Sequence, residues 1–310
     1  MVYNTDLNKQ DIQRILNWYN PQTVLSYTVL SGGSENTNYC LKTNTHSFVL
    51  TVCEQKSFDD ARNLARLLKH LDDHNFATSK IKKTKDGSDV VTWDGKPVML
   101  KGFIEGDIVQ DFSETLLLYL GKELAKLHKI KAPTYIPQTL NYGSIKHFDK
   151  VQDYAPNSSF NQWIIDIRDY IKTHISLDLP KALIHGDVFY NNIVVDKAQE
   201  RGVIMDFEEA CYYYRVFDIG MMIVGTCSEH NKINVKKLAY LLQGYQNETI
   251  LLDIEKKALK AFTVYAATST ALWRHHNFNY VHIVPEKKDV YLEMKMLADE
   301  VMEMKNSNFY

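Results

Sequence analysis

The sequence predicts an α+β protein of two lobes, a small N-terminal lobe of antiparallel sheet and a larger, mostly helical C-terminal lobe. Three observations lead to this prediction. Short β-patterned runs and an Asp-Gly turn fill the first hundred residues. From Ser113 onward, apolar residues recur at helical spacing, with one β-patterned interruption at 193–205. A glycine-flanked segment, 102–108, separates the β-patterned region from the helical region and is predicted to be the hinge between lobes 1–101 and 109–310.

The N-terminal lobe is predicted to contain a sheet and two helices. The first helix is expected at 5–19 with Thr5 or Asp6 as its cap, and strands follow at 24–30, 38–42 and 48–52. A second helix begins after the cap residue Ser57, and Asp94-Gly95 between apolar runs predicts a tight hairpin because both residues tolerate positive φ. The apolar positions predicted to share a face are Ile12, Ile15, Leu16 and Tyr19 in the first helix, and Phe58, Ala61, Leu64, Leu68 and Leu71 in the second.

The C-terminal lobe is predicted to be a set of helices around one hairpin. Five leucines between 116 and 127 form a single helical stripe. The further helices are predicted at 161–176, 235–245, 254–273 and 290–304, and the hairpin pairs 193–195 with 203–205.

Composition excludes several classes of protein. Lys and Arg number 36 and Asp and Glu 38, so the net charge of −2 gives no support to nucleic-acid binding. Four cysteines without a C-x-x-C pair argue against a zinc ribbon or a disulfide scaffold and indicate a reducing compartment. With neither a signal-peptide pattern nor a membrane-length apolar run, we expect a cytoplasmic protein with no membrane or nucleic-acid partner. The oligomeric state is not predicted.

The stretch from Leu183 to Glu208 carries the chemistry. The predicted hairpin brings the residue before its first strand, Asn192, beside the residue after its second strand, Asp206. Asp187 lies five residues before Asn192 in the same loop. Two carboxylates and an amide oxygen with no basic neighbour are suited to Mg²⁺, a hard cation that prefers oxygen. A solvated loop with scattered acids is the competing interpretation. The histidine two residues before Asp187, together with the strand-turn-strand that ends in Asp206-Phe207, makes it the weaker one.

The chain resembles the superfamily of aminoglycoside phosphotransferases and choline kinases, which has a protein-kinase-like fold. His185-Gly186-Asp187 with Asn192 matches the catalytic loop of that superfamily, Asp206-Phe207-Glu208 matches its metal-binding segment, and 121–128 matches its "L-G-x-x-L-A-x-L-H" helix. The resemblance implies that ATP and Mg²⁺ are used, with Asp187 as the catalytic base and Asn192 and Asp206 as metal ligands. It also implies a nucleotide-binding N-terminal lobe and a catalytic, substrate-binding C-terminal lobe.

Within the superfamily, residues 32–39 and 244–246 resemble homoserine kinases of the kinase-fold type, whereas 206–220 also resembles choline and ethanolamine kinases. We therefore expect an amino-alcohol acceptor, with L-homoserine and threonine biosynthesis as the leading expectation. A choline or ethanolamine kinase, an aminoglycoside phosphotransferase and a nucleotide-binding pseudokinase remain alternatives. The pseudokinase is motivated by Thr51, which stands where such kinases carry a lysine, although kinase-fold homoserine kinases resemble this sequence there too.

Further roles are expected for residues around this core. Glu208 could bind the substrate ammonium, and Arg215 or Arg274 its carboxylate, while aromatic residues such as Tyr190 could form a cage around a quaternary ammonium. His185 and Asp218 are expected to support the catalytic loop rather than to react. The residues predicted to bind the nucleotide are Gly32, Gly33, Ser34, Asn36 and Lys42, with Lys56 as the alternative cation.

Overall fold

Sheet and helix separate along the chain in the computed structural model, which describes residues 5–19, 22–30, 36–176 and 178–309. The chain divides into two compact units, Met1–Glu105 and Gly106–Tyr310. The first contains a five-stranded antiparallel sheet and two helices, and the second is mostly helical. The predicted α+β class is confirmed.

The sheet of the first unit is antiparallel throughout and has the order β1-β2-β3-β5-β4. Asp94 and Gly95, with φ of 48° and 76°, form the turn between the last two strands, as the Asp-Gly signal predicts. The strands are β1 (Val24–Leu30), β2 (Asn36–Thr43), β3 (Ser47–Cys53), β4 (Val91–Trp93) and β5 (Lys96–Gly102).

Helix α1 (Lys9–Leu16) packs the predicted apolar face into the core of this unit, but its cap differs from the prediction. Asn8 is the cap, because its side chain accepts from the backbone N–H of Asp11 while the Asp11 carboxylate accepts from the N–H of Asn8. Thr5, which was predicted to cap the helix, instead donates its backbone N–H to Glu54 at 2.8 Å.

Helix α2 (Phe58–Asp73) is capped by Ser57, as predicted. Its buried face includes Ala61, Leu64 and Leu68, but Phe58 is 42% exposed, so its predicted burial is wrong. Helical side chains point toward the N-terminus of their helix. The first residue of α2 therefore projects beyond the helix rather than onto the face that its spacing suggests.

The described part of the second unit contains seven α-helices and three strand pairs, and four of these elements were not predicted. They are the helices α4 (Val151–Tyr154) and α6 (Arg215–Thr226) and the strand pairs β6–β9 and β10–β11. Helix α6 is apolar on every side, with all residues from Val216 to Thr226 buried, so it lacks the one-sided pattern of a surface helix. The pair β6–β9 was also missed, because each strand has only four residues. The elements are α3 (Glu114–Lys129), α4 (Val151–Tyr154), α5 (Ser159–His174), β6 (Lys181–Ile184), β7 (Ile193–Val195), β8 (Gly202–Ile204), β9 (Cys211–Tyr214), α6 (Arg215–Thr226), β10 (Ser228–Glu229), β11 (Lys232–Ile233), α7 (Val235–Gln246), α8 (Asp253–His276) and α9 (Tyr291–Glu303).

Two glycines let α3 and α7 approach each other closely. A Cβ on Gly121 would lie 2.1 Å from the carbonyl oxygen of Leu241, and one on Gly244 would lie 2.1 Å from that of Leu118. Because no side chain fits at either point, the backbones touch, and the end of α3 lies against α7 near Tyr245.

All four cysteines are free thiols, and three of them are buried. Within the described ranges, none of the helices has the length and hydrophobicity needed to cross a membrane.

Candidate active site

The loop that follows β6 holds the predicted catalytic residues, and its path depends on a glycine. Gly186 has φ of +84°, and a Cβ there would lie 2.6 Å from the carbonyl oxygen of Glu209. Both the positive φ and the close backbone approach exclude any other residue. The loop therefore turns sharply beside residue 209 and presents Asp187 just beyond the strand.

Asp218, a residue of α6, holds the start of this loop through hydrogen bonds. Its side chain is fully buried, and its two oxygens accept from the backbone N–H groups of His185 and Gly186, each at 2.8 Å. His128 lies 3.1 Å from the same carboxylate and is itself 2.8 Å from the Tyr245 hydroxyl. A buried carboxylate is stable only when hydrogen-bonded, and this one has three donors.

His185 is fully buried and uses both of its ring nitrogens within the loop. Nε2 lies 2.8 Å from the carbonyl oxygen of Met205, to which it donates, and Nδ1 accepts from the backbone N–H of Asp187 at 3.2 Å. The ring also packs edge-on against Phe207. With no free nitrogen, the imidazole joins the loop to the β7–β8 hairpin and has none left to take a substrate proton.

The half-buried carboxylate of Asp187 is held by two donors. Tyr142 donates its hydroxyl to Oδ1 at 3.0 Å, and Asn192 donates its amide to Oδ2 at 3.0 Å. Burial raises the pKa of Tyr142 well above its ordinary value, and the carboxylates of Asp187 and Glu209 raise it further. The Tyr142 hydroxyl therefore keeps its proton and remains a donor to Asp187.

Asn192 and Asp206 lie at the same open end of the β7–β8 hairpin, but Asn192 faces Met205, so Asp206 follows one residue beyond the pairing that the sequence pattern predicts. The backbone N–H of Met205 donates to the carbonyl of Asn192 at 2.9 Å, which extends the ladder to these residues. The Asn192 amide nitrogen donates twice to Asp187, so its Oδ1 points elsewhere as an available oxygen ligand. Asp206 is exposed, with a left-handed φ of 68° that is rare outside glycine.

These oxygens fit a hard divalent cation. The set contains two carboxylates and one amide oxygen, which Mg²⁺ accepts as ligands. Across the part of the chain that the structure describes, no three His, Cys, Asp or Glu side chains cluster as a metal site. A site that draws one ligand from Asn192 would not form such a cluster.

A cavity of about 350 Å³ lies beside the loop, between the segment before α4 and the segment that begins β9. Asn141 donates to Glu209 across it at 3.1 Å, and the backbone N–H of Tyr212 donates to the carbonyl of Pro137 at 2.8 Å. These bonds fix the two walls against each other. The cavity is lined by Pro137, Thr139, Leu140, Asn141, Ser144, Lys146, His147, Glu208, Glu209, Ala210 and Cys211.

Arg215 does not join this site, so its prediction as a carboxylate ligand is not supported. Strands β6 and β9 are antiparallel, and Tyr214 pairs with Lys181 at the end of β6 farthest from the catalytic loop. Four strand residues separate that end from the loop, a span of about 13 Å. The guanidinium of Arg215 is also held by both oxygens of the buried Glu255, at 2.7 and 2.6 Å.

The other predicted substrate residues lie closer to the loop. Glu208 lines the cavity. Arg274 places its guanidinium 5.9 Å from the ring of Phe189 in the loop, and it pairs with Glu293 at 2.6 Å. Tyr190 is half-buried, with its hydroxyl 3.5 Å from the amide nitrogen of Gln110.

Two groups of aromatic residues bear on the expected cage around a quaternary ammonium. Tyr213 and Tyr214 pack against each other, and Tyr213 also contacts Phe217 of α6, as core residues do. Trp273 instead packs between Phe278 and Tyr142, the residue that donates to Asp187. The second group is an aromatic wall near the catalytic carboxylate.

The residues predicted to bind nucleotide belong to the first unit. Lys42 is exposed on β2, on the strand face shared with the half-buried Asn36. Thr51, in place of the usual lysine, is buried and donates to the Asn38 side chain at 2.7 Å, so its hydroxyl has an internal partner. Gly32, Gly33 and Ser34 lie outside the described residues.

Sequence reasoning missed Tyr142, His128 and the cavity residue Lys146. Tyr142 lies 45 residues from Asp187, and His128 lies 90 residues from Asp218. No motif of short spacing predicts contacts over such separations. The sequence did contain a signal for His128, because it is the last residue of the segment 121–128 that matches the superfamily helix, and the structure buries it.

The site can be compared with known proteins. Residues 26–248 match the model of the phosphotransferase enzyme family. A homoserine kinase of Nitrobacter hamburgensis is 27% identical over 286 residues, which cover 90% of this chain and 87% of that protein. Among solved structures, a microcompartment-associated aminopropanol kinase superposes with a TM-score of 0.76 at 17% identity, covering 97% of this chain and 99% of the other. An amicoumacin kinase in complex with AMP-PNP and Ca²⁺ gives 0.75 at 16% identity, covering 98% and 97%. The fold is therefore the kinase-like fold that the resemblance implied.

Proposed function

We propose that this chain, which belongs to the phosphotransferase enzyme family, transfers the γ-phosphate of ATP to the hydroxyl group of L-homoserine. Membership in the family makes it a small-molecule kinase acting on a hydroxyl acceptor. The homoserine kinase that covers most of the chain supports the choice of acceptor. The observation that carries the proposal is the Asp187 carboxylate, which two donors hold beside the cavity while His185 is engaged elsewhere.

Asp187 is proposed to orient the acceptor hydroxyl and to take its proton as the oxygen attacks phosphorus. A carboxylate that is fixed by donors to both oxygens loses little rotational freedom when substrate binds, which favours a productive alignment. Each oxygen of Asp187 accepts one donor and retains a second lone pair for the substrate. Tyr142 and Asn192 are positioning residues in this scheme.

Asn192 and Asp206 are proposed to hold Mg²⁺ through the free amide oxygen and the exposed carboxylate. The chemistry supplied by a cation at such a site is neutralisation of negative charge on the phosphoryl group during transfer. The bond from Asn192 to Asp187 links the proposed metal ligand to the proposed base, so the two functions share one rigid loop.

The first unit is proposed to bind the nucleotide through Lys42, Asn36 and the glycines at 32 and 33. Lys42 is the exposed cation on β2 that could replace the lysine missing at Thr51. The hydroxyl of Thr51 is satisfied by its hydrogen bond to the Asn38 side chain. The preference for an active enzyme over a pseudokinase rests on the exposed Lys42 as a replacement cation and on the homoserine kinase relative.

A choline or ethanolamine kinase is the second candidate. The wall formed by Tyr142, Trp273 and Phe278 favours it, since aromatic faces bind quaternary ammonium groups. A substrate that carries an ammonium group without a carboxylate gains no attraction from a cation in the cavity. Lys146 is such a cation, and it lines the cavity. This residue makes the amino acid the better fit.

The test is ADP production with Mg²⁺ and a panel of L-homoserine, choline, ethanolamine and 3-aminopropan-1-ol. We expect homoserine to have the highest kcat/KM, and Asp187→Ala to lower kcat by about 100-fold or more with little change in ATP affinity. Asp196→Ala is the matched control, because the Asp196 carboxylate accepts from two backbone N–H groups in the exposed β7–β8 turn. Turnover by Asp187→Ala within about threefold of the parent would refute the assignment of the base, and faster turnover of choline would promote the second candidate.

A further inference from the structure

The cavity beside the catalytic loop carries charges of both signs on separate walls. One wall, at the beginning of β9, contributes Glu208 and Glu209. The other, from the segment before α4, contributes Lys146 and His147. At about 350 Å³ the cavity is within the range of small-ligand sites. A molecule that enters it meets anions on one side and a cation on the other.

The cavity begins next to the proposed base. The carbonyl of Glu209 abuts the loop at Gly186, one residue before Asp187. On the opposite wall, Asn141 lines the cavity and the next residue, Tyr142, donates to Asp187. Both walls therefore reach the catalytic loop, and a ligand in the cavity would present one end to Asp187.

Lys146 is the cation in this cavity that has no anion of its own. No carboxylate in the described ranges pairs with it, whereas Arg215 is bound by Glu255 and Arg274 by Glu293. A lysine facing two carboxylates across a small cavity is ready to accept an anion, provided that a cation accompanies it. An α-amino acid brings both charges on one carbon.

We propose that Lys146 binds the carboxylate of an α-amino acid acceptor and that Glu208 binds its ammonium. The cavity then selects an amino acid over an amino alcohol that lacks the carboxylate. The reason is electrostatic: Lys146 is exposed, so the selection depends on the attraction between its ammonium and the ligand carboxylate rather than on desolvation of the lysine. An ammonium without a carboxylate would leave Lys146 unpaired beside a like charge. The inference rests on the proposed function and names the residues that set its substrate class.

The experiment compares L-homoserine with 3-aminopropan-1-ol, the same chain without the carboxylate, in the full-length protein. For Lys146→Met we expect the KM for homoserine to rise about 30-fold, while kcat changes little and kcat/KM for 3-aminopropan-1-ol is unchanged or higher. Lys146→Arg should restore most of the homoserine affinity. Glu208→Gln should raise the KM for both compounds, since both carry the ammonium. Lys150→Met is the matched control, an exposed lysine four residues away that does not line the cavity.

Calorimetric binding of L-homoserine to the parent and to Lys146→Met separates this inference from the proposed function. Binding that depends on Lys146 without phosphoryl transfer would refute the kinase proposal and support the cavity assignment. Phosphorylation of homoserine with an unchanged KM in Lys146→Met would refute the cavity assignment and leave the kinase intact. A loss of homoserine affinity in Arg274→Met but not in Lys146→Met would also overturn it, because the carboxylate would then lie against α8.

Discussion

Replacement of Asp218 by asparagine tests whether α6 holds the catalytic loop in place. Asp218→Asn preserves the size of the side chain but replaces one acceptor oxygen with an NH₂ donor. In the parent protein, Oδ1 of Asp218 accepts from the backbone N–H of Gly186, and Oδ2 accepts from the backbone N–H of His185 and from the His128 ring. Whichever way the amide is oriented, one backbone donor must face another donor.

The expected cost follows from these contacts. An unsatisfied buried donor costs about 1–3 kcal/mol, and the remaining bonds lose the strengthening that an ionised acceptor provides. Since the carboxylate is fully buried, water cannot replace the lost acceptor. We expect the free energy of unfolding to fall by about 3–5 kcal/mol. Because the disturbed N–H groups immediately precede Asp187, kcat should fall by about 100-fold, the cost expected for a displacement of about 1 Å.

Urea denaturation and steady-state kinetics would measure the two effects, with Thr226→Val as the control. Thr226 lies at the other end of α6, is buried, and donates its hydroxyl to the carbonyl of Met222 in the same helix rather than to the loop N–H groups that Asp218 holds. Its loss should cost about 1 kcal/mol and leave kcat unchanged. The reasoning fails if Asp218→Asn is no less stable than Thr226→Val, or if it keeps kcat within about threefold of the parent.

Three further predictions concern single residues. Asp206→Asn should weaken binding of Mg·ATP about tenfold or more while metal-free ATP binds as before, measured by calorimetry. Tyr142→Phe should lower kcat by about tenfold in rapid-quench experiments, because Asp187 loses one of its two donors, while calorimetry shows unchanged ATP affinity. Burial lowers the pKa of His275 to about 4. The free energy of unfolding of the parent protein should therefore be highest above pH 6.5 and should fall by roughly 1–2 kcal/mol between pH 8 and pH 5. His275→Phe, which can keep the stacking on Phe160, should remove that fall.

Each of these has an outcome that contradicts it. Equal loss of metal-free and metal-bound ATP in Asp206→Asn would argue against metal ligation. An unchanged kcat in Tyr142→Phe would show that the bond from Asn192 alone orients Asp187. For the histidine, the sign is fixed by the chemistry: acid protonates His275 in the unfolded chain first, which favours unfolding. Equal pH dependence in the parent and in His275→Phe would place the titrating group elsewhere.

The sequence by itself determined the features that depend on neighbours a few residues apart. The Asp94-Gly95 hairpin, the Ser57 cap and the location of Asn192 and Asp206 at one end of the β7–β8 hairpin all follow from local backbone preferences and short spacing, and the structure has each of them. Such features form wherever those residues occur in that order, because their geometry is set by torsion angles and by nearby hydrogen bonds.

Only the tertiary structure decided which distant side chains meet. Arg215 was a plausible carboxylate ligand until antiparallel pairing of β9 with β6 placed it at the far end of the strand, against Glu255. Tyr142 had no motif to mark it, yet it contacts Asp187 across 45 positions. Lys146 became a candidate only when two separate segments closed a cavity around it. These pairings depend on how helices and strands pack over the whole unit, and packing is a property of the folded chain that no local sequence pattern encodes.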